Sequence, residues 1–185
     1  MPNRRHTPKP EHTFLAIRIE HHKARCNAGV DLNLLGGSLY DVDPKALVYR
    51  YDTTLEVSGI CAYPDERAGE RYDVTVYGAT PDSWQMALRI EDLQERDKDG
   101  APRYKNLKRG LVPVYREAPS LGHIEKVRGE ARYSVVIWAA PLFVTDALTL
   151  LSHDRQLYVA IQERRLSRRR EVRSFSIQTT DPSEE

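Results

Sequence analysis

The run of side chains best suited to chemistry is an arginine-rich segment near the C-terminus. A guanidinium group can donate two parallel hydrogen bonds to a phosphate, so a loop with several of them could hold a nucleic-acid backbone. The near-equal numbers of basic residues, 28, and acidic residues, 27, favour the alternative that these arginines pair with carboxylates or protect a sheet edge. Nucleic-acid binding is therefore our second hypothesis for function. The candidate phosphate contacts are Arg164, Arg165, Arg168, Arg169, Arg170 and Arg173.

Histidine and cysteine side chains suggest a metal site, but their spacing is poor. The candidates are His12, His21, His22, Cys26 and Cys61. His22 and Cys26 are four residues apart and would share one face of a strand. Zinc is held by four such ligands, and the sequence has no C-x-x-C or H-x-x-x-H pair. We predict no metal and no other cofactor, with the cysteines as small thiols, or as one disulfide in an oxidising compartment.

Other signatures of chemistry fail when they are checked position by position. Asp97 begins a stretch that resembles a calcium loop, but the fifth position is Ala101 and the twelfth is Lys108. A calcium loop needs an oxygen ligand and a bidentate glutamate there, so we predict a tight polar turn instead. The sequence has no G-x-S-x-G, Walker or G-x-G-x-x-G motif. We therefore expect a non-catalytic protein.

Tyrosine is over-represented among the aromatic residues, with ten Tyr against three Phe and two Trp. A tyrosine offers a large contact area with a polar tip, and tyrosines are enriched at binding surfaces. The alternative is that they form the ordinary core and rim of a β-domain. The candidate binding-face aromatics, all on predicted strands, are Tyr49, Tyr51, Tyr72 and Tyr77.

The element that must organise these residues is a long strand over residues 47–61. Its odd positions include Leu55, Val57 and Cys61, whereas its even positions include Asp52 and Glu56. Side chains of a strand alternate between two faces, so this pattern predicts one face on a core and one in water.

The remaining pattern predicts a mainly β fold, an antiparallel β-sandwich or open barrel with one short helix over residues 141–152. Further strands are expected from residue 13 onward, with polar loops over 96–110 and 117–130. Residues 81–96 are ambiguous: apolar residues alternate from Trp84 to Ile90, which favours a strand, but Asp82 and Gln85 could cap a helix.

The chain is long enough for one domain with a real hydrophobic core. We predict a flexible basic arm over residues 1–12, a single β-sandwich domain over 13–180 and a disordered tail over 181–185. The formal net charge of +1 excludes recognition by global charge. No apolar run approaches the length of a membrane helix, and the cysteines are few, so we expect a cytoplasmic protein with no membrane partner.

Together these features predict a non-catalytic interaction domain whose partner is another protein or a second copy of the chain. The alternative is a nucleic-acid-binding accessory protein that uses the arginine-rich loop.

Overall fold

The computed structural model describes residues 10–30, 49–78, 88–153 and 155–182 of the chain. The strands in this part are β1 (Glu11–Val30), β2 (Tyr49–Tyr63), β3 (Arg71–Gly78), β4 (Tyr104–Leu107), β5 (Gly110–Pro113), β6 (Gly122–Lys126), β7 (Arg132–Ala139), β8 (Tyr158–Leu166) and β9 (Arg169–Gln178). The α-helix is α1 (Pro141–Leu151), and the 3₁₀ helices are Asp65–Arg67 and Ile90–Leu93.

Seven strands form one closed barrel in the order β1, β2, β3, β7, β6, β9, β8, and β8 pairs with β1 to close it. β4 and β5 form a separate two-stranded sheet. The barrel pairs are antiparallel except that β3 and β7 are parallel, with Tyr72 beside Tyr133. The chain between Gly78 and Arg132 is long enough for the crossover that a parallel pair requires. Within the described residues, the predicted mainly β fold with one short α-helix is therefore confirmed, and its main sheet is a closed barrel.

The side chains of β2 alternate between a buried and an exposed face, as the sequence predicts. Leu55, Val57 and Cys61 are buried in the core, whereas Glu56 on the other face is exposed. β3 pairs with β2 through a hairpin and points Tyr72, Val74 and Val76 into the same core. The strand period of two thus places one set of side chains inside the barrel and leaves the other in water.

The two ends of the barrel are closed by residues of different kinds. α1 begins directly after β7 and buries Val144, Ala147 and Leu151 against the core, in contact with β2, β3 and β9. Pro141 lies in the first turn of this helix, as predicted. At the opposite end, where β3 begins, the β2–β3 loop carries Arg67, and the closure there is polar.

Both predicted chain ends differ from the structure where it describes them. β1 begins at Glu11 because the backbone there already pairs with β8, so the predicted mobile arm does not extend to residue 12. The earlier part of the arm lies outside the described residues. In the predicted tail, Pro182 is buried, and the last three residues lie outside the described part.

Between β3 and β7 the structure differs from the sequence prediction in two places. β6 lies in the predicted loop over 117–130, and its five residues are too few to show a clear alternation. The predicted strand ending at Ile90 is wrong at its described end, where Ile90–Leu93 is a 3₁₀ helix. The Arg89 backbone N–H donates to Asp92 Oδ2 at 2.7 Å and fixes this turn. Residues 79–87 lie outside the described residues.

Candidate functional site

The β8–β9 hairpin divides the six candidate arginines into paired and unpaired groups. Arg164 and Arg173 both reach Glu117, and Arg164 also lies 3.7 Å from Glu171. The Arg164 side chain is only 12% exposed. Arg173 donates a further hydrogen bond to the Ala118 carbonyl at 2.8 Å. These arginines therefore hold the segment before β6 against the barrel.

Three of the candidate arginines remain in solvent at the tip of the hairpin. Arg165, Arg168 and Arg169 are exposed, and none of them forms an ion pair within the described part of the chain. The turn itself is tight, because Ser167 adopts a positive φ of 58°. The predicted phosphate-binding group is thus reduced to three residues around the tip of one hairpin.

Arg170 belongs to a buried cluster around Glu163 that closes the polar end of the barrel. The Glu163 side chain is 3% exposed and accepts hydrogen bonds from Arg170 Nη2 at 2.7 Å and Arg67 Nη1 at 2.8 Å. Arg67 also pairs with Glu70 at 3.0 Å and contacts the hydroxyl of Tyr72. The Tyr72 hydroxyl donates to Glu70 at 3.0 Å. Each carboxylate therefore neutralises a neighbouring guanidinium.

Aromatic rings cover the guanidinium groups of this cluster. Tyr72 and Tyr133 stack with their centroids 5.1 Å apart and their planes at 14°. Arg67 lies 5.1 Å and Arg170 lies 4.7 Å from the Tyr133 ring centroid. Cations over aromatic faces are attracted by the ring quadrupole, most strongly where water is excluded. The cluster is satisfied by its own members, which is the pattern of a structural closure.

The electrostatics of the cluster favour its charged form. Burial would raise the pKa of Glu163, but the hydrogen bonds from Arg170 and Arg67 outweigh it and hold this pKa below its ordinary value. Burial likewise acts to raise the pKa of Glu70, and the bonds from Arg67 and Tyr72 lower it on balance. Burial raises the pKa of Tyr72. The carboxylates thus stay ionised and the phenol stays neutral at neutral pH.

Sequence reasoning missed this cluster, although one signal was present. Val159, Ile161 and Glu163 alternate along β8, so Glu163 is a charged residue on an otherwise apolar inward face. A charge in that position is almost never left without a partner. The partners come from the β2–β3 loop and from β9, and their identity follows only from the closed barrel.

The four candidate tyrosines do not form one exposed face. Tyr72 is fully buried, which contradicts its predicted place on a binding surface, because it shares the inward face of β3 with Val74 and Val76. Tyr77, an odd residue on the same strand, is 42% exposed on the opposite face. Tyr49 and Tyr51 lie in β2, and their side chains are outside the described residues.

The histidines and cysteines are spread along the barrel. His12 pairs with Arg164 on β8, whereas Cys26 pairs with Thr53 near the other end. Cys61 is opposite Ile17, so along β2 it lies about 27 Å from the Cys26 pair at roughly 3.4 Å per residue. This separation excludes the alternative disulfide, and both thiols are free. Among the described residues, no group of these side chains could hold a metal ion.

The predicted turn after Asp97 is confirmed. Asp97 Oδ1 accepts hydrogen bonds from the backbone N–H groups of Asp99 at 3.0 Å and Ala101 at 2.9 Å. Gly100 has a φ of +83°, which completes the turn. The carboxylate that the calcium hypothesis would use as a ligand instead organises the loop.

The most unusual surface is the outer edge of β1 beyond the barrel. β1 pairs with β8 only as far as Arg18, and the Ile19 N–H then donates to the Leu157 carbonyl at 2.9 Å. β1 leaves β8 there but stays paired with β2 as far as Val30. Within the described ranges, no strand pairs with the other side of residues 21–29, and all of these residues are exposed. We call this stretch the free edge.

A β-bulge decides which side chains the free edge presents to each face. The register with β2 shifts between Ile19 and His21, so Glu20 is the extra residue. Residues directly opposite in an antiparallel pair share a face. On the solvent face lie His21, Lys23, Arg25 and Asn27, and on the face that continues the barrel interior lie His22, Ala24, Cys26 and Ala28.

A second exposed surface lies on the β4–β5 hairpin and its neighbours. Its large apolar residues are exposed, including Leu111 at 71%, Ile90 at 72% and Tyr104 at 55%. Exposed apolar side chains of this kind can mark an interaction site. β4 and β5 pair with each other over only four residues each, so each outer edge of this hairpin is much shorter than residues 21–29.

Comparison of the chain with protein-family models, with curated proteins and with solved structures found no match in any of the three. Among the described residues, no helix has the length and apolar character needed to cross a membrane.

Proposed function

We propose that this protein is a non-catalytic interaction domain that binds an extended segment of another protein by adding it as a strand to the free edge. The observation that carries the proposal is the run of exposed residues 21–29, which β2 holds in strand conformation on one side while no other described strand pairs with its other side. An edge of this kind presents alternating N–H and C=O groups to an incoming chain.

β2 holds the free edge in the conformation that strand addition requires. β2 is anchored in the barrel by buried Leu55 and Val57, which lie opposite Ala24 and His22. The edge is therefore already in strand conformation before a partner arrives, which lowers the entropy lost on binding. At roughly 3.4 Å per residue the edge is about 30 Å long, which exceeds the usual length of a strand.

The charges on the edge favour another protein over a second copy of this chain. Two antiparallel copies of β1 related by a two-fold axis would place residues of the same face opposite each other. With the axis at Lys23, Ala24 or Arg25, a basic side chain faces another basic side chain. Like charges directly opposite each other destabilise a sheet, which is a common protection against self-association.

The test uses Cys26 as a reporter at the centre of the free edge. Cys26 is exposed and Cys61 is buried, so benzophenone maleimide will label Cys26 alone in the folded protein. After ultraviolet irradiation in native lysate, we expect covalent adducts with a partner, identified by mass spectrometry. A matched protein, Cys26→Ser with Asn106→Cys, carries the same label on exposed β4 and should give none of these adducts.

Purified partner should then protect from hydrogen exchange those amides of residues 21–29 that point away from β2. Proline removes one N–H, and alternate residues direct their N–H groups to opposite edges of a strand. Ala24→Pro and Asn27→Pro remove N–H groups that point to opposite edges of β1. One of the two substitutions should therefore weaken the β1–β2 ladder. The other should keep its melting temperature and lose binding. Adducts only from Asn106→Cys, or protection confined to other strands, would overturn the proposal.

A further inference from the structure

We infer that the segment bound at the free edge alternates acidic and apolar residues, with its acidic side chains on the solvent face. This inference rests on the proposed function, because it describes the partner of that same edge. It is carried by the two different faces that the bulge at Glu20 gives to residues 21–29.

Lys23 and Arg25 give the solvent face of the edge a positive charge. Lys23 and Arg25 are exposed, and neither forms an ion pair within the described part of the chain, although Lys23 is opposite Glu56. An added strand would lie about 4.8 Å from β1, so its side chains on this face would be direct cross-strand neighbours of both cations. Acidic residues there would be attracted, and basic residues would be repelled.

The acidic residues of β2 do not cancel this preference. Asp52 and Glu56 are one strand further away, about 10 Å from an added strand. This distance is close to the Debye length at physiological salt, so their effect on exposed partner side chains is strongly screened. The nearest charges therefore decide the sign that the partner must carry.

The other face of the edge favours apolar side chains in the partner. Ala24, Cys26 and Ala28 are small and exposed, and they lie on the face that continues the barrel interior. Ala24 is opposite Leu55, which is fully buried. Larger apolar side chains on an added strand would cover these small residues and extend the apolar surface outward from Leu55. Successive side chains of the added strand face opposite sides. A partner that meets both preferences therefore alternates acidic and apolar residues.

The probes for the experiment are three soluble, fluorescein-labelled peptides of equal length. One alternates Glu and Val, the second alternates Lys and Val, and the third has the composition of the first with all its Glu before all its Val. Fluorescence anisotropy at 50 mM and 300 mM salt gives the Kd of each. Hydrogen exchange then reports whether residues 21–29 are protected.

We expect the alternating Glu–Val peptide to bind at least about tenfold more tightly than the Lys–Val peptide, a difference of about 1.4 kcal/mol. Lys23→Glu with Arg25→Glu should reverse this order. Lys105→Glu with Arg109→Glu makes the same change in net charge on an exposed hairpin, and should leave the order unchanged. Equal binding of the block and alternating acidic peptides would overturn the alternation.

The outcomes separate this inference from the proposed function. If both alternating peptides protect residues 21–29 equally, strand addition stands and the acidic preference is wrong. If no peptide protects these residues and Cys26 gives no adduct, the proposed function itself fails.

Discussion

Replacing Glu163 with alanine should strongly destabilise the barrel. The carboxylate is 3% exposed and accepts hydrogen bonds from two guanidinium groups, at 2.8 Å from Arg67 and 2.7 Å from Arg170. The substitution would leave both cations at the polar end without this counter-charge. Removing one partner of a buried ion pair costs about 3–5 kcal/mol, against a total stability of about 5–15 kcal/mol for a typical domain.

The free energy of unfolding can be measured by urea denaturation followed by circular dichroism. At about 2–4 °C per kcal/mol for a protein of this size, Glu163→Ala should also lower the melting temperature by roughly 6–20 °C. Glu117→Ala is the matched control, because Glu117 also bridges two arginines, Arg164 and Arg173, but is 54% exposed. An exposed pair contributes at most about 1 kcal/mol.

The pH dependence of the free energy of unfolding provides a second test of the role of Glu163. The pKa of Glu163 is held below its ordinary value in the folded state, despite burial, by bonds from Arg170 and Arg67. Its contribution is therefore fully present above the unfolded pKa of about 4.3 and is lost as pH falls through the folded pKa. The difference in the free energy of unfolding between wild type and Glu163→Ala should thus decrease as the pH falls into the acidic range. A cost for Glu163→Ala no larger than that for Glu117→Ala would refute the assignment of a buried structural cluster.

Two further predictions concern close backbone packing and the exposed arginines. Gly59→Ala should cost about 1–3 kcal/mol in urea denaturation, because a Cβ there would meet the Arg18 carbonyl oxygen of β1. Gly29→Ala, with open space around it, should be near neutral, and equal costs would contradict this packing. The nucleic-acid alternative predicts binding of a labelled single strand at 50 mM salt that is lost on replacing Arg165, Arg168 and Arg169 with alanine. Absence of binding at that salt would refute it.

The parts of the fold that sequence predicts well are those governed by local periodicity. The alternation of Leu55 and Val57 with Glu56 identifies β2, and Pro141 before an apolar stripe identifies α1, because both signals come from neighbours in the chain. β6 was missed because its five residues are too few for a clear alternation. Its place in the barrel depends on β7 and β9.

The arginine-rich run shows why the sequence alone could not predict the candidate site. Six arginines close together suggest one basic patch. Yet Arg170 points to buried Glu163, Arg164 points to Glu117, and Arg168 stays at the exposed tip. Successive side chains of a strand point in opposite directions, and the carboxylates that meet them come from distant segments. The sequence therefore could not show which arginines were already neutralised.

The sequence by itself determined the mainly β class and the short helix that begins at Pro141, because side-chain period and turn residues are local properties. Only the tertiary structure decided that the sheet closes, that Glu163 receives two guanidinium groups, and that β1 outruns β8 to leave a free edge. These features depend on strand order and on a one-residue shift at Glu20, which moves every later side chain of β1 to the opposite face.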